Sequence, residues 1–327
     1  MKAIVQDRYG SADVLALREV DDPVVTDNGV LVRIRAAAVN AADWHIMRGD
    51  PYLARASIGL RRPKARIRGR DFAGQVEAVG KAVTRFQPGD EVYGELGDGN
   101  GSFAEYTVVA EDLVERKPAN LTFEQAAALP LAGITALMGL RDVGQVKPGQ
   151  RVLINGASGG VGLFAVQLGK AFGAEVTGVC SAKNADLVRS VGADQVIDYA
   201  QDDFTRNGTR YDLVFDLVGN RSLTELRRAL TPAGTLVLSG GGVSNGGSLL
   251  GPIGLIAKGS LLSWFVRQRL IALVTKPSQE RLATLRELAE SGQLTPVIDR
   301  TYPLREAAEA IRYLELEHAR AKVIVTM

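Results

Sequence analysis

"RVLINGASGGVGLFAVQLGKAFGAEVTGVC", residues Arg151 to Cys180, runs through a short apolar strand, a glycine-rich turn, an amphipathic helix and a second apolar strand. The dinucleotide fingerprint usually written GxGxxG falls here on Ala157, Gly159 and Gly162, so alanine takes the first slot, with Gly156 and Gly160 adding freedom beside it. Gly159 allows the backbone to approach a pyrophosphate, Gly162 allows the helix to lie close to the sheet, and the helix start offers unpaired N–H groups with a positive dipole end. A glycine-rich turn can be purely structural, but one set between a strand and a helix and followed by a second strand points to a ligand. Ala157, Ser158, Gly159, Gly160 and Val161 are the expected phosphate cradle.

The end of the second strand selects the dinucleotide. An acid about 20 residues past the loop would bind both ribose hydroxyls of NAD. This chain reads "GVCSAKN" there, with Ser181 and Lys183 in place of the acid, a hydroxyl and a cation suited to a 2'-phosphate. NADPH is the expected cofactor. The competing reading makes Lys183 an exposed lysine at a helix start, and Cys180 reads as a packing residue rather than a reactive thiol.

Downstream the alternation continues through strand "QVIDY", strand "DLVFDLV", helix "SLTELRRAL" and strand "TLVLSGG", with the helix "ADLVRSVG" before them. Short strands that are apolar on both faces, alternating with helices, describe a doubly wound parallel sheet of α/β class. Upstream, Met1 to about Pro118 is a series of short alternating runs such as "VLVRIRAAAV" and "FAEYTVVA" between Gly, Pro and Asp turn signals, which is β-rich. The character changes near residue 120, where Thr122 and Gln125 are spaced as a helix-capping pair. After "RLIALVT" and the helix "QERLATLRELAESG", the strand-like "TPVID" and "AKVIVTM" are expected to rejoin the first domain. The resulting division is 1–120 with 277–327, and 121–276.

Composition limits the function classes. With 46% hydrophobic and 23% charged residues the chain of 327 is globular and long enough for two domains, not disordered. One cysteine excludes an internal disulfide and a cysteine-based zinc cluster, which suits the cytoplasm. The N-terminus lacks the features of a signal peptide and reads as a strand. No apolar run approaches the ~20 residues of a membrane span, and a net charge of +2 gives no general drive toward nucleic acid, so neither membrane nor nucleic acid is an expected partner. One local exception, "RASIGLRRPKARIRGR" from Arg55 to Arg70, holds seven Arg or Lys and no acid. It reads as a solvated loop and edge strand carrying protective charge, or as a lure for anionic ligands.

Several motifs taken together, "VNAAD" (39–43), "GRDFAGQVEAVGKAVTRFQPGDEVYG" (69–94), "GSFAEYTVV" (101–109), "LAGITAL" (131–137), "GASGGVG" (156–162), "GADQVIDY" (192–199) and "HARAKVIV" (318–325), resemble the medium-chain dehydrogenase/reductase superfamily over essentially the whole chain. The nearest likeness is to its zinc-free quinone oxidoreductase branch. The resemblance implies a GroES-like β-rich catalytic domain, an inserted Rossmann domain and a nicotinamide in the cleft between them. Zinc alcohol dehydrogenases of the superfamily place a Cys where this chain has Asn40 and a His followed by Glu where it has Arg70 and Asp71. "PLAG" carries neither Cys nor His, and no four-cysteine lobe occurs between Gly94 and Phe103. A zinc site needs three or four N or S ligands, so no metal is expected.

Without a Lewis acid, substrates that delocalise their own negative charge are favoured, which means quinones and α,β-unsaturated carbonyls. The chain is therefore expected to be an NADPH-dependent oxidoreductase of that type. Alternatives are a metal-free alcohol or aldehyde dehydrogenase and a non-catalytic NADPH-binding protein. In "VNAADWHIMRGDPY" the resemblance puts Asn40 and Asp43 close to the nicotinamide, Asn40 as a hydrogen-bonding group and Asp43 orienting its neighbours or capping the next helix. His45 and Tyr52 are candidate proton donors, Trp44 a core or cleft wall, and His318 structural. The resemblance also places Thr135 near the nicotinamide, Tyr199 near the adenosine phosphate, Val218, Ser239 and Gly240 at strand ends, and Lys322 near the cofactor phosphates. The edge strand "RLIALVT" would be unprotected unless it paired with another chain, and a homodimer is expected.

Overall fold

Val152, Leu153 and Ile154 are fully buried in strand β8 (Arg151–Asn155), each contributing about 1.5–3 kcal/mol of burial free energy, and they sit at the middle of a parallel sheet. In the computed structural model, residues 1–99, 101–239, 266–316 and 319–327 are described. The sheet around β8 is completed by β9 (Glu175–Cys180), β10 (Gln195–Asp198), β11 (Tyr211–Asp216), β12 (Leu230–Leu238) and β13 (Arg269–Ala272). Their order is β10-β9-β8-β11-β12-β13, every pairing is parallel, and the reversal of strand order falls between β8 and β11. That is the Rossmann order, with its ligand-binding switch point beside the end of β8. Among the described residues β13 occupies one edge.

The other unit begins with an antiparallel hairpin, β1 (Lys2–Gln6) and β2 (Leu15–Glu19). Its main sheet contains β3 (Gly29–Val39), β4 (Asp71–Val79), β5 (Glu91–Glu95), β6 (Tyr106–Ala110), β7 (Val114–Arg116), β14 (Ile298–Pro303) and β15 (Lys322–Thr326). The path runs β14-β15-β3-β4-β5-β7, with β6 also on β3. The last strands therefore do rejoin the first part of the chain. β15 runs antiparallel to β3 with Val323 opposite Val39, which brings Lys322 beside Asn40. The expected strand "TPVID" starts later than its sequence suggests, at Ile298, because Pro296 has no N–H to give a ladder.

The two units divide within the helix Pro130–Leu137, at Ile134/Thr135, and again at Thr275/Lys276. The first division lies beyond the change of composition near residue 120. The reason is local: the helix Phe123–Ala127, capped by Thr122 and Gln125 through bonds of 3.1 and 3.2 Å, packs on β3 and β4 and belongs to the first unit.

Candidate active site

In the Rossmann unit the glycine loop joins β8 to the helix Gly160–Ala171. Gly156 has φ +89, a conformation that favours glycine. A Cβ on Gly162 would lie 2.2 Å from the Gly156 carbonyl oxygen, so this glycine is demanded by the helix's approach to the strand. A Cβ on Gly159 would meet only the Gly156 oxygen at 3.5 Å, an ordinary contact. Packing therefore leaves Gly159 free to be larger, and its missing side chain keeps open the space over the helix start. Gly159 is the N-cap and supplies no side-chain cap, so the first N–H groups, from Gly160 and Val161 onward, keep their donor capacity. Ala157 is buried against Gly178, which accounts for alanine in the first slot.

Sequence reading missed two polar contacts here. Asn184 Nδ2 donates to Ser158 Oγ at 3.1 Å, tying the turn after β9 to the loop, and the buried Asn184 Oδ1 has no partner among the described residues. Asn155 Nδ2 donates to Asp216 Oδ1 at 2.8 Å, and the same oxygen accepts from the N–H groups of Val218 and Gly219. The available signal was the position of Asn155 directly before the glycines. Lys183 is exposed in the short turn Ala182–Asn184, Ser181 is half-buried as its N-cap, and Tyr199 is 57% exposed with its N–H on the Cys180 carbonyl. Ser181, Lys183 and Tyr199 thus gather at the carboxyl ends of β9 and β10. Ser239 continues β12 through a bond to the Asp216 carbonyl, and Gly240 and His318 lie outside the described residues. Thr135 is buried with its hydroxyl 2.8 Å from that of Thr275.

The other unit holds a buried polar cluster. Asn40 ends β3 and precedes the helix Ala41–Arg48, and Asp43 reaches back to accept the Asn40 N–H at 2.7 Å. This is the capping role expected of Asp43. Asn40 Nδ2 donates to Asp71 Oδ2 at 2.9 Å and to the Ala38 carbonyl at 3.3 Å, while Asn40 Oδ1 accepts from Lys322 Nζ at 2.6 Å. Asp71 Oδ1 accepts from the Leu131 N–H, and Lys322 Nζ lies 3.7 Å from Asp71 Oδ2. Next to it, Arg70 donates to the fully buried Glu95 at 2.6 Å.

These contacts give Lys322 partners within the protein. Its side chain is 4% exposed and its ammonium is occupied by Asn40, the Val39 carbonyl and the Asp71 charge. Both Asn40 amide hydrogens are likewise committed to the protein.

Burial governs the electrostatics. It pushes the Asp43 carboxyl up to about 6 and Glu95 to about 7, the latter against the pull of Arg70. It also raises Asp71 and lowers Lys322, with their mutual attraction opposing both shifts. Burial lowers His45 as well. His45 Nδ1 lies 3.0 Å from the Asp50 carbonyl, which only accepts, so Nδ1 carries the hydrogen and the neutral ring presents a bare Nε2. Such a ring accepts a proton rather than supplying one. Trp44 stacks on it at 3.6 Å and packs on the apolar cluster of Val39, Met47 and Phe103. Tyr52 is 46% exposed, with Arg55 over its ring at 4.6 Å.

The basic run is not uniformly solvated. Arg68 is completely buried, Arg70 is paired with Glu95, Arg66 is bonded to Asp7, and Arg55 lies over both Tyr9 and Tyr52. Arg61, Arg62, Lys64 and Arg66 match the expected exposed charge, Arg66 while bonded to Asp7.

Comparison with known proteins bears on the same residues. The model described as alcohol dehydrogenase GroES-like domain matches residues 26–119, and the one described as zinc-binding dehydrogenase matches residues 191–325. The chain is 36% identical to 2-methylene-furan-3-one reductase of Solanum lycopersicum, over 99% of this chain and 79% of that protein. The structure of the quinone oxidoreductase from Coxiella burnetii superposes with a TM-score of 0.87 at 31% identity, covering 100% of this chain and 99% of that one. Escherichia coli quinone oxidoreductase complexed with NADPH superposes with a TM-score of 0.85 at 25% identity, covering 100% of both chains. The donor set does not fit the zinc of the second model's description. Asn40 is an amide, Arg70 a cation, and the Lys322 ammonium already neutralises Asp71. Among the described residues no group of three or more His, Cys, Asp or Glu could hold a metal, and no helix is long and apolar enough to cross a membrane.

Proposed function

Because the chain belongs to the medium-chain dehydrogenase/reductase superfamily, in its zinc-free quinone oxidoreductase-like branch, we propose that it is an NADPH-dependent reductase of quinones and α,β-unsaturated carbonyls. The observation that carries the cofactor choice is the end of β9, where Ser181 and the exposed Lys183 stand in place of an acid. Lys183 and Ser181 would hold the 2'-phosphate, the open N–H groups at Gly160 and Val161 the pyrophosphate, and Tyr199 the adenosine end. When bound, the nicotinamide supplies a hydride.

The chain's own residues then have to manage one negative charge and one proton. With the Asn40, Asp71 and Lys322 cluster closed on itself and unsuited to zinc, a substrate that spreads charge over a ring or an enone needs the least help. The proton comes from Tyr52, which is 46% exposed, rather than from His45, whose only N–H is given to Asp50. The names of the tomato reductase and the two quinone oxidoreductases support the substrate class. Edge strand β13 supports a homodimer, and the single buried cysteine supports a cytoplasmic setting.

Steady-state oxidation of NADPH and NADH with a quinone, an enone and a simple ketone, and the reverse reaction with an alcohol, tests the reading. Turnover of quinone or enone with NADPH is the expected result. Turnover of alcohol alone, or tight NADPH binding with no oxidation across the panel, overturns it.

A further inference from the structure

We propose that the turn Gly59–Arg66 docks the protein on an anionic lipid bilayer, with Arg61, Arg62 and Lys64 on lipid phosphates and Leu60 in the headgroup layer. The absence of an apolar run argues against a span, but a surface-lying contact needs none. The structure sorts the seven cations of residues 55–70 into two groups. Four serve the protein: Arg55 lies over the Tyr9 and Tyr52 rings, Arg66 donates to Asp7 at 2.6 and 2.9 Å, Arg68 is buried, and Arg70 holds Glu95. The side chains of the other three, Arg61, Arg62 and Lys64, are exposed and make no hydrogen bond or ion pair among the described residues. Leu60, immediately before them, is 76% exposed.

These residues line one depression of about 980 Å³, in which the only acid, Asp7, is already bonded to Arg66 and Arg18. The turn is held in place. Lys64 N donates to the Ile58 carbonyl at 2.8 Å, and the Gly59 carbonyl accepts the Tyr9 hydroxyl. Gly59 has φ +125, and a Cβ there would lie 2.1 Å from the Arg62 carbonyl oxygen, so the tight turn depends on glycine. A fixed turn that presents an aliphatic tip beside three free cations is complementary to a surface that is anionic outside and apolar beneath. Single-stranded nucleic acid is a poorer match, since residues 59 to 66 carry no aromatic ring for a base to stack on. A second copy would have to bring acids to the same place. The inference goes beyond the proposed reaction and does not depend on it.

Co-sedimentation of the full chain with vesicles of phosphatidylcholine alone, and of phosphatidylcholine with roughly one-third phosphatidylglycerol, tests it. Binding to the anionic vesicles only, weakening as salt rises, is expected. Arg61→Ala/Arg62→Ala/Lys64→Ala lowers partitioning by about fivefold per cation, on the order of 100-fold in all. Arg61→Lys/Arg62→Lys retains it, and Leu60→Ser weakens it with the salt dependence unchanged. The thermal midpoints of these surface variants stay at the parental value, which separates docking from folding. Equal binding to both vesicles, no binding to the anionic ones, or a triple variant that changes only oligomeric state or nucleic-acid retention overturns the proposal. Vesicle binding needs no turnover, so its failure and a failure of the proposed reaction are read separately.

Discussion

Lys322 Nζ donates to Asn40 Oδ1 at 2.6 Å across 282 positions of sequence, and the same amide donates to Asp71 Oδ2 from its other end. Asn40, which the family resemblance aligns with a zinc-binding cysteine, is thus bonded to Asp71, whose charge the ammonium opposes. With side chains 4% and 0% exposed, Lys322 and Asp71 cannot exchange one another for water. Lys322→Met removes the cation and leaves a buried carboxylate uncompensated, so a loss of about 3–5 kcal/mol in urea unfolding is expected. Lys322→Met/Asp71→Asn removes both charges and recovers most of it. A double variant no more stable than Lys322→Met would show that the pair is not the source of the loss.

Asp43 makes stability depend on pH in a defined direction. Its carboxyl is raised from 3.8 in the unfolded chain to about 6 by burial. Between those values the folded protein holds a proton that the unfolded chain has released, so stability is greatest below about pH 4 and falls as pH rises through 6. The shift corresponds to about 3 kcal/mol. Asp43→Asn keeps an oxygen for the Asn40 N–H but does not titrate. Unfolding free energies measured from pH 4 to 7 should fall more steeply for the parent than for the variant by that amount, and parallel curves would falsify the assignment.

What could be read from the sequence was local. The strand–turn–helix–strand of residues 151–180 and the Thr122/Gln125 cap depend on neighbours within one element, and both are present. The environments of Lys322 and Arg68 were not legible because they come from pairing at a distance. The partners of Lys322, which the resemblance set near the cofactor phosphates, are fixed only when β15 is laid against β3, and Arg68 reads as one cation among seven until the chain folds over it. The division at Ile134/Thr135 has the same kind of cause: whether the helix Phe123–Ala127 belongs to one unit or the other is decided by the strands it packs on, not by its composition.

Gly159 and Gly162 separate ligand binding from folding. At Gly159 a methyl group meets nothing closer than 3.5 Å, and φ −78 suits any residue, so Gly159→Ala should leave the thermal midpoint within experimental scatter. The methyl occupies the space over the helix start, and NADPH affinity should drop at least about tenfold in a fluorescence titration. Gly162→Ala drives the same methyl to 2.2 Å from the Gly156 oxygen and should lower the midpoint itself. Equal NADPH affinity in Gly159→Ala and parent would remove the loop from the cofactor site.

Lys183 tests the choice between the two nicotinamide dinucleotides. The side chain is exposed and makes no ion pair among the described residues, so Lys183→Ala costs the fold little. A charge-assisted bond to a 2'-phosphate is worth about 1.5–3 kcal/mol, and the variant should bind NADPH about 10- to 100-fold more weakly with NADH affinity unchanged. An unaltered NADPH/NADH ratio in paired titrations would assign Lys183 to the solvated surface.

His45 and Tyr52 make opposite predictions for the proton. The His45 ring is held neutral by burial, and its Nδ1–H is fixed on the Asp50 carbonyl. Asn at this position can supply the same N–H, so His45→Asn should keep kcat within about threefold if the ring only braces the turn. Tyr52→Phe keeps the ring beneath Arg55 and deletes only the hydroxyl. If that hydroxyl protonates the substrate, kcat falls by about 100-fold while NADPH affinity and the thermal midpoint hold. The reverse pattern, a large kcat loss in His45→Asn and none in Tyr52→Phe, would transfer the proton chemistry to the imidazole and require the ring to turn away from Asp50 during the reaction.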